Sequence, residues 1–315
     1  MEMTSRVCPL CGSTDTSRIF AEADFDFNRL DGFAFASRKL PEYMHYRLIE
    51  CKRCDLLYAT PLPREEFLVQ GYSEAAYDSS EESHNAARTY ASFLPGIMER
   101  LADLRGALDI GAGDGAFLEF LLEHGFEGIV GIEPSRAPIA AARHDILPLL
   151  REGVFCTEDH DPEKFSLITC FQTLEHLYDP LAMVHGVWRL LKPGGAAFFI
   201  CHNRRSLSAR LLGTKSPIFD IEHLQLFSPE SARYLLEQNG FSSVTVSPVV
   251  NRYPIRYWMR LAPLPQNLKL PLISAIDRIG LGGLPLSIPA GNIAVIGYKS
   301  KSADNAFQAL PEMVK

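Results

Sequence analysis

Ala107-Leu108-Asp109-Ile110-Gly111-Ala112-Gly113-Asp114-Gly115-Ala116-Phe117 is the stretch on which the fold is decided. An apolar strand runs straight into three glycines at alternate positions, and apolar residues at helical spacing follow (Phe117, Leu118, Leu121, Leu122). Glycines at such a turn let the backbone approach a ligand closely, and they leave the first N–H groups of the helix facing it. The turn alone is ambiguous, because Ala116 in sixth place also satisfies the dinucleotide fingerprint G-x-G-x-x-A. Glu133 ends a second apolar strand that starts at Gly128, where its carboxylate could accept both hydroxyls of a ribose. NAD enzymes use the same device, so Glu133 leaves both ligands open.

The downstream text separates them. Phe165 to Gln172 reads as a buried strand, followed by a loop and a helix start with Asp179 as N-cap and Pro180 at the first helical position. Leu181, Val184, Val187 and Leu191 mark the helix, Lys192-Pro193-Gly194-Gly195 stops it, and Ala196 to Cys201 is the next strand. With these residues in hand, the chain closely resembles the class I S-adenosylmethionine-dependent methyltransferases over about residues 105 to 249. The matching positions are Asp109 to Gly115, Glu133, Leu174-Glu175-His176-Leu177 with Asp179-Pro180, and Leu191 to Gly195. The resemblance implies an α/β fold, a Rossmann-like seven-stranded sheet with helices on both faces, and S-adenosylmethionine as cofactor. It places Gly111, Gly113 and Gly115 on the methionine and ribose side, Asp109 as the residue ordering the turn, Glu133 on the ribose, and Gln172 beside the reactive methyl. Thr157 to Asp159 match the adenine segment poorly, and Ser166 stands where the family usually has Asp.

Two C-x2-C units, Cys8/Cys11 and Cys51/Cys54, lie 39 residues apart near the start of the chain. Each can set two thiolates on a tight turn, and together they complete a tetrahedral, structural zinc site of zinc-ribbon type. With the tyrosines that follow, this head is similar to that of the deoxysugar C-methyltransferases. Those enzymes carry a further C-terminal domain that 315 residues do not accommodate, so their C-methylation chemistry is not simply inherited. The expected organisation is a zinc-ribbon-like domain over 1–62, a linker and lead-in helix (Leu94 to Leu104) over 63–104, a methyltransferase domain over 105–300, and a loose tail over 301–315.

Residues 250–291 interrupt what would be a closing hairpin, between strands expected at Ser242 to Val249 and Asn292 to Lys299. The insert carries Arg252, Arg256, Arg260, Lys269 and Arg278 against the single acid Asp277, with Trp258 and six prolines, inside a chain of net charge −7. It reads as a lid over an anionic or greasy substrate, as a patch for peripheral membrane contact, or as a packing appendage. The acidic total argues against nucleic acid as a partner, and no apolar run approaches a membrane span. Seven cysteines without a secretory leader point to a reducing, cytoplasmic setting.

Methyl transfer to an alcohol needs a general base. His176, just past the methyl-facing strand, and His223, in Asp220-Ile221-Glu222-His223, are the candidate imidazoles; His202 and Asn203, at a strand end, are candidate substrate contacts. Gln172-x-x-Glu175-His176 also resembles the metal site of the quinone-biosynthesis O-methyltransferases, with Gln in place of the first carboxylate. The reading is therefore a small-molecule methyltransferase, with O-methylation of a sugar-like or secondary-metabolite acceptor first and C-methylation of a nucleotide sugar second. An NAD(P)-binding oxidoreductase and a non-catalytic zinc-ribbon adaptor are the alternatives from other classes.

Overall fold

A computed structural model describes residues 2–14, 17–26, 43–75, 77, 80–262 and 264–301. Seven strands form the central sheet: β1 (Arg105–Ile110), β2 (Glu127–Glu133), β3 (Leu150–Glu152), β4 (Phe165–Phe171), β5 (Leu191–His202), β6 (Phe241–Pro254) and β7 (Pro285–Lys299). Their order is β6-β7-β5-β4-β1-β2-β3, with β7 antiparallel to both neighbours. The order reverses between β1 and β4, and an open parallel sheet leaves a ligand crevice at the strand ends beside such a reversal.

Each face of the sheet is covered. On one, Met183, Val184 and Val187 of helix Pro180–Leu190 join Leu235 and Leu236 of helix Pro229–Gln238. On the other, Ala86, Ala87 and Tyr90 pack with Phe117, Leu118 and Leu121 of helix Ala116–Glu123. The caps form as the residue types dictate: Asp179 accepts from the Ala182 N–H, and Ser228 forms a capping box with Ser231. At Ser166 the acid expected from the family is supplied from elsewhere, because the hydroxyl donates to Asp103 at 2.8 Å and Lys192 donates to the same carboxylate at 2.8 Å.

The segment 63–104 is no linker. It holds helices Glu65–Ser73, Ser80–Ala91 and Leu94–Met98. Helix Ser80–Ala91 escapes composition because its buried face is made of Ser83, Ala86, Ala87, Tyr90 and Ala91, small residues with one aromatic. The lead-in helix ends at Met98, where Arg100 and Leu101 close i→i+3 bonds, yet Leu101 and Leu104 still pack on the core.

The head shares a sheet with the rest of the chain. Its order is Gln225–Leu226, Leu57–Ala59, Leu48–Cys51, Ser17–Ala21, so the outermost strand comes from the loop after β5. The insert is likewise continuous with its surroundings. Strands β6 and β7 run further than expected and keep pairing from Asn251 to Pro254 against Ile288 to Pro285, and helices Ile255–Leu261 and Gln266–Arg278 ride on the tip. Leu268, Leu270 and Ile279 are exposed on its outer side, and no helix among the described residues is long and apolar enough to cross a membrane. The expected tail lies, from residue 302 onward, outside the described residues.

Gly131 in β2 is a close-packing position: a Cβ there would meet Ala112 Cβ at 2.8 Å and Leu118 and Leu150 methyls at 2.9 Å. Overpacking of this kind costs about 1–3 kcal/mol. Gly131→Val is therefore expected to lower Tm by roughly 3–10 °C in a thermal melt. Gly96→Ala, which meets nothing within 4 Å, serves as the control and should not lower it.

Candidate active site

The Gly-rich turn is built on a carboxylate. Glu133 is buried at the end of β2 and accepts from the N–H of Gly113 at 2.9 Å and of Ser135 at 2.8 Å. Burial pushes its pKa up, against those two bonds. Gly111 has φ +77°, and a Cβ on it would sit 2.3 Å from Thr173 Oγ1, so only glycine lets the turns after β1 and β4 approach this closely. Gly113 has φ +58° with open space beside it. Gly115, φ +77°, packs under Ile146 and starts the helix. Asp109 is buried, accepts from Thr169 Oγ1 at 2.6 Å and is pushed up to about 7 by burial.

One cavity of about 600 Å³ begins at Asp109, Gly111 and Glu133 and continues past Gln172 to His176, His202 and His223. Gln172 adopts φ +50°, a conformation rare for a non-glycine residue, and its Oε1 accepts from Tyr90 at 3.2 Å. Gly113, Gly115 and Asn203 are not on the cavity wall. Asn203, expected at the substrate, is off this wall; its Oδ1 accepts from the Arg205 N–H at 2.8 Å, which closes the turn after β5. Thr157 to Asp159 also leave the wall, with Thr157 packed against Gly186; Val154 and Pro138 line that end of the cavity.

The three histidines converge. The rings of His176 and His223 lie 4.9 Å apart, and those of His202 and His223 lie 5.0 Å apart. Their tautomers follow from their partners. Nδ1 of His223 is 2.8 Å from the Ile218 carbonyl, which can only accept. Nδ1 of His176 faces the Glu222 carbonyl at 3.2 Å and the Tyr72 hydroxyl at 2.9 Å, and that hydroxyl already donates to the same carbonyl. Nδ1 of His202 lies 2.9 Å from Asn292 Oδ1, whose amide in turn donates to Asn251 at 3.3 Å. In all three rings Nδ1 carries the proton and Nε2 is the basic nitrogen. Burial lowers the His202 pKa to about 4, against the Asn292 bond, so the ring is neutral near pH 7. Glu222 stands between the other two, 3.9 Å from His176 and 3.9 Å from His223. Sequence reasoning missed Tyr72, Tyr90, Asn251 and Asn292, since none sits in a motif.

The metal reading of Gln172, Glu175 and His176 is not supported by the geometry. Glu175 is fully buried, turns one oxygen to the His202 N–H, and leaves Oε2 without a hydrogen-bond partner. Among the described residues, His176 instead groups with Glu222 and His223, with ligand atoms within 4.8 Å of one another.

The four head cysteines do meet. Sγ of Cys8 is 3.5 Å from that of Cys54, Sγ of Cys11 is 3.5 Å from that of Cys51, and all four lie within 4.8 Å of one another. Each knuckle ends on a left-handed residue, Gly12 at φ +65° and Asp55 at φ +59°. The hydrogen bond between Cys8 and Cys54 pushes Cys8 down to about 5 and Cys54 up, so one thiolate is favoured within the pair.

A family model described as a methyltransferase domain matches residues 83–246. The ubiquinone biosynthesis O-methyltransferase of Aliivibrio fischeri is 26% identical over 179 residues, which cover 50% of this chain and 76% of that protein. The enzyme of the same name from Alkalilimnicola ehrlichii is 36% identical over 110 residues, covering 33% of this chain and 44% of that one. Among solved structures, the YcgJ protein of Bacillus subtilis is similar at a TM-score of 0.49 and 18% identity, over 68% of this chain and all of that one.

Glu175 yields a pH signature. Burial pushes its carboxyl up to about 7. The protonated acid is the form the fold prefers, so its stabilising effect is complete below the ordinary carboxylate pKa and is lost as pH rises through about 7. Glu175→Gln, uncharged at every pH, is expected to gain in Tm over the parent progressively from about pH 5 to pH 8. A pH series of thermal melts checks this; a pH-independent difference would contradict the assignment.

Proposed function

The chain belongs to the methyltransferase-domain family, and from that premise we propose that it O-methylates a small molecule. It is an S-adenosylmethionine-dependent methyltransferase. The observation that carries the proposal is the single cavity joining Gly111 of the glycine turn and Glu133 to three imidazoles.

The cofactor end fits the group. Gly111 allows the close approach, the Glu133 carboxylate is positioned by two backbone N–H groups, and Gln172 stands between that end and the histidines. When bound, S-adenosylmethionine supplies a methyl already activated by a positive sulfonium, so the protein has no leaving group to protonate. An acceptor hydroxyl that gains the methyl must lose its proton. The basic Nε2 atoms of His176 and His223 take that proton, while Ile218, Tyr72 and the Glu222 carbonyl hold the rings in orientation.

Zinc is the second group proposed, with a structural role. Tetrahedral Zn–S bonds of about 2.3 Å require sulfur separations of about 3.8 Å. The observed 3.5 Å within pairs and the 4.8 Å limit across the set bracket that figure. Such an ion would close the two knuckles and fix the sheet to which Gln225–Leu226 is paired.

The head also fits C-methylation of a nucleotide sugar, but among the described residues the cavity wall offers that substrate's diphosphate no Lys or Arg. Calorimetric titration is expected to show binding of S-adenosylmethionine and none of NADH; the reverse result would favour the oxidoreductase reading. Once an acceptor is in hand, His176→Ala and His223→Ala should each lower kcat about 10²-fold or more with cofactor affinity kept. Full turnover in both would remove the general-base role. Metal analysis of the purified chain should give one zinc per chain, lost in Cys8→Ser together with soluble yield.

A further inference from the structure

The described wall of the cavity is one-sided in charge. Among the described residues not one Lys or Arg lines it, whereas Asp109, Asp114, Glu133, Asp220 and Glu222 do. The basic residues of the insert, which the sequence offered as contacts for an anion, are engaged elsewhere. Arg256 pairs with Glu81, Arg260 pairs with Glu82 at 3.0 Å, and the Lys269 ammonium donates to the Arg260 carbonyl at 2.8 Å. Arg252 and Arg278 are exposed and off the wall.

Apart from Asn251, what the insert gives the cavity is mainly aromatic and apolar. Tyr253, Tyr257, Trp258, Leu261 and Ile288 line it. The aromatic three form one cluster, with ring centroids 4.4 Å apart for Tyr253 and Tyr257 and 5.4 Å for Tyr253 and Trp258. Trp258 is anchored by its indole N–H on the Leu286 carbonyl at 2.8 Å. Past this panel lies the histidine cluster, and there His202 is held by Asn292 and Asn251, which stand on the two strands that carry the insert. The Nε2 of His202 makes no hydrogen bond to the described residues, so it can accept one from a ligand.

These features select for one chemistry. An ionised phosphate or carboxylate presents only acceptor oxygens, and it would be buried among acids and Nε2 acceptors with no Lys or Arg among the described wall residues to pair with. A hydroxyl presents the hydrogen that Nε2 requires, and an aromatic or apolar body fills the panel. Resting on the methyl-transfer reading above, we infer that the acceptor is an uncharged, hydroxyl-bearing molecule with an aromatic or apolar body, seated on Tyr257 and Trp258 with its hydroxyl among the imidazoles of His176, His202 and His223. The insert is thus an apolar wall for the substrate, and two of its cations, Arg256 and Arg260, pair with helix Ser80–Ala91 instead.

Two probes share a body and differ in charge: 2-naphthol and 2-naphthyl phosphate, each titrated calorimetrically into the full chain saturated with S-adenosylhomocysteine. Naphthol is expected to bind at least tenfold more tightly. Trp258→Ala, or Tyr257→Leu should that variant fail to fold, weakens naphthol about fivefold and leaves S-adenosylhomocysteine affinity unchanged. His202→Gln, whose amide oxygen can accept in place of Nε2, keeps naphthol binding, and His202→Phe loses it. Equal or tighter binding of the phosphate, binding of UDP-glucose, or no binding of naphthol overturns the inference. Failure of S-adenosylhomocysteine itself to bind overturns the methyl-transfer reading instead.

Discussion

Both oxygens of the buried Glu133 carboxylate are committed to backbone amides, and the geometry of the cofactor end depends on that commitment. A buried carboxylate without donors would be costly, so the chain must bring amides to it. One comes from Gly113, whose positive φ turns the N–H inward, and the other from Ser135 just after β2. The Ser135 hydroxyl then donates to the Ala75 carbonyl at 3.1 Å, which fastens the segment after helix Glu65–Ser73 onto the same point. The turn after β1, the end of β2 and the wall above the cavity are in this way one unit. The narrow approach of Gly111 to Thr173 adds the end of β4 to it.

A second constraint links the head to the acceptor end. The Ala59 N–H donates to the Leu224 carbonyl at 2.8 Å, and the Leu224 N–H donates to the Glu175 carbonyl at 2.8 Å. Arg6 reaches across the same junction to the carbonyls of Ala59, Tyr178 and Leu224. Arg204, with its side chain almost fully buried, joins Glu50 of the head to the turn after β5. His223 precedes Leu224, so the knuckles and the acceptor pocket are separated by a few hydrogen bonds. The cysteine head therefore bears on the cavity by position: what fixes its sheet also fixes the loop that carries His223.

Much of this was legible in the chain itself, and the parts that were not share a cause. Strands β1, β2, β4 and β5, the Asp179 and Ser228 caps, the glycine turn and the cysteine knuckles are all written in local patterns of period, cap and spacing. Helix Ser80–Ala91 was not, because alanines and serines on its buried face give no apolar contrast. Asn203 looked like a substrate contact from its place at a strand end, but a turn claims Asn side chains locally, and here it does. The histidines were legible as residues and their convergence was not. It depends on the loop 216–226 folding back over the end of β4, a tertiary event no short window contains. Asn251 and Asn292 escaped for the same reason: 41 positions apart in sequence, they meet only because β6 and β7 pair beyond their expected ends.

The insert shows why composition misled about the substrate while topology did not. Five cations in a short segment suggested attraction for an anion, but exposed ion pairs such as Arg260 with Glu82 contribute only about 0.2–1 kcal/mol each and say little about what the segment encloses. The seat of the insert is set by the longer ladder of β6 on β7 and by the packing of Tyr253, buried on Phe198's side of the core, against Tyr257 and Trp258. Those three rings line the cavity, while the guanidinium groups of Arg256 and Arg260 reach Glu81 and Glu82. Because the same two strands carry Asn251 and Asn292, the wall that meets the body of the acceptor and the relay that orients His202 cannot be adjusted separately. A change in how the insert sits is a change in both, which ties the shape of the aromatic wall to the placement of the His202 ring.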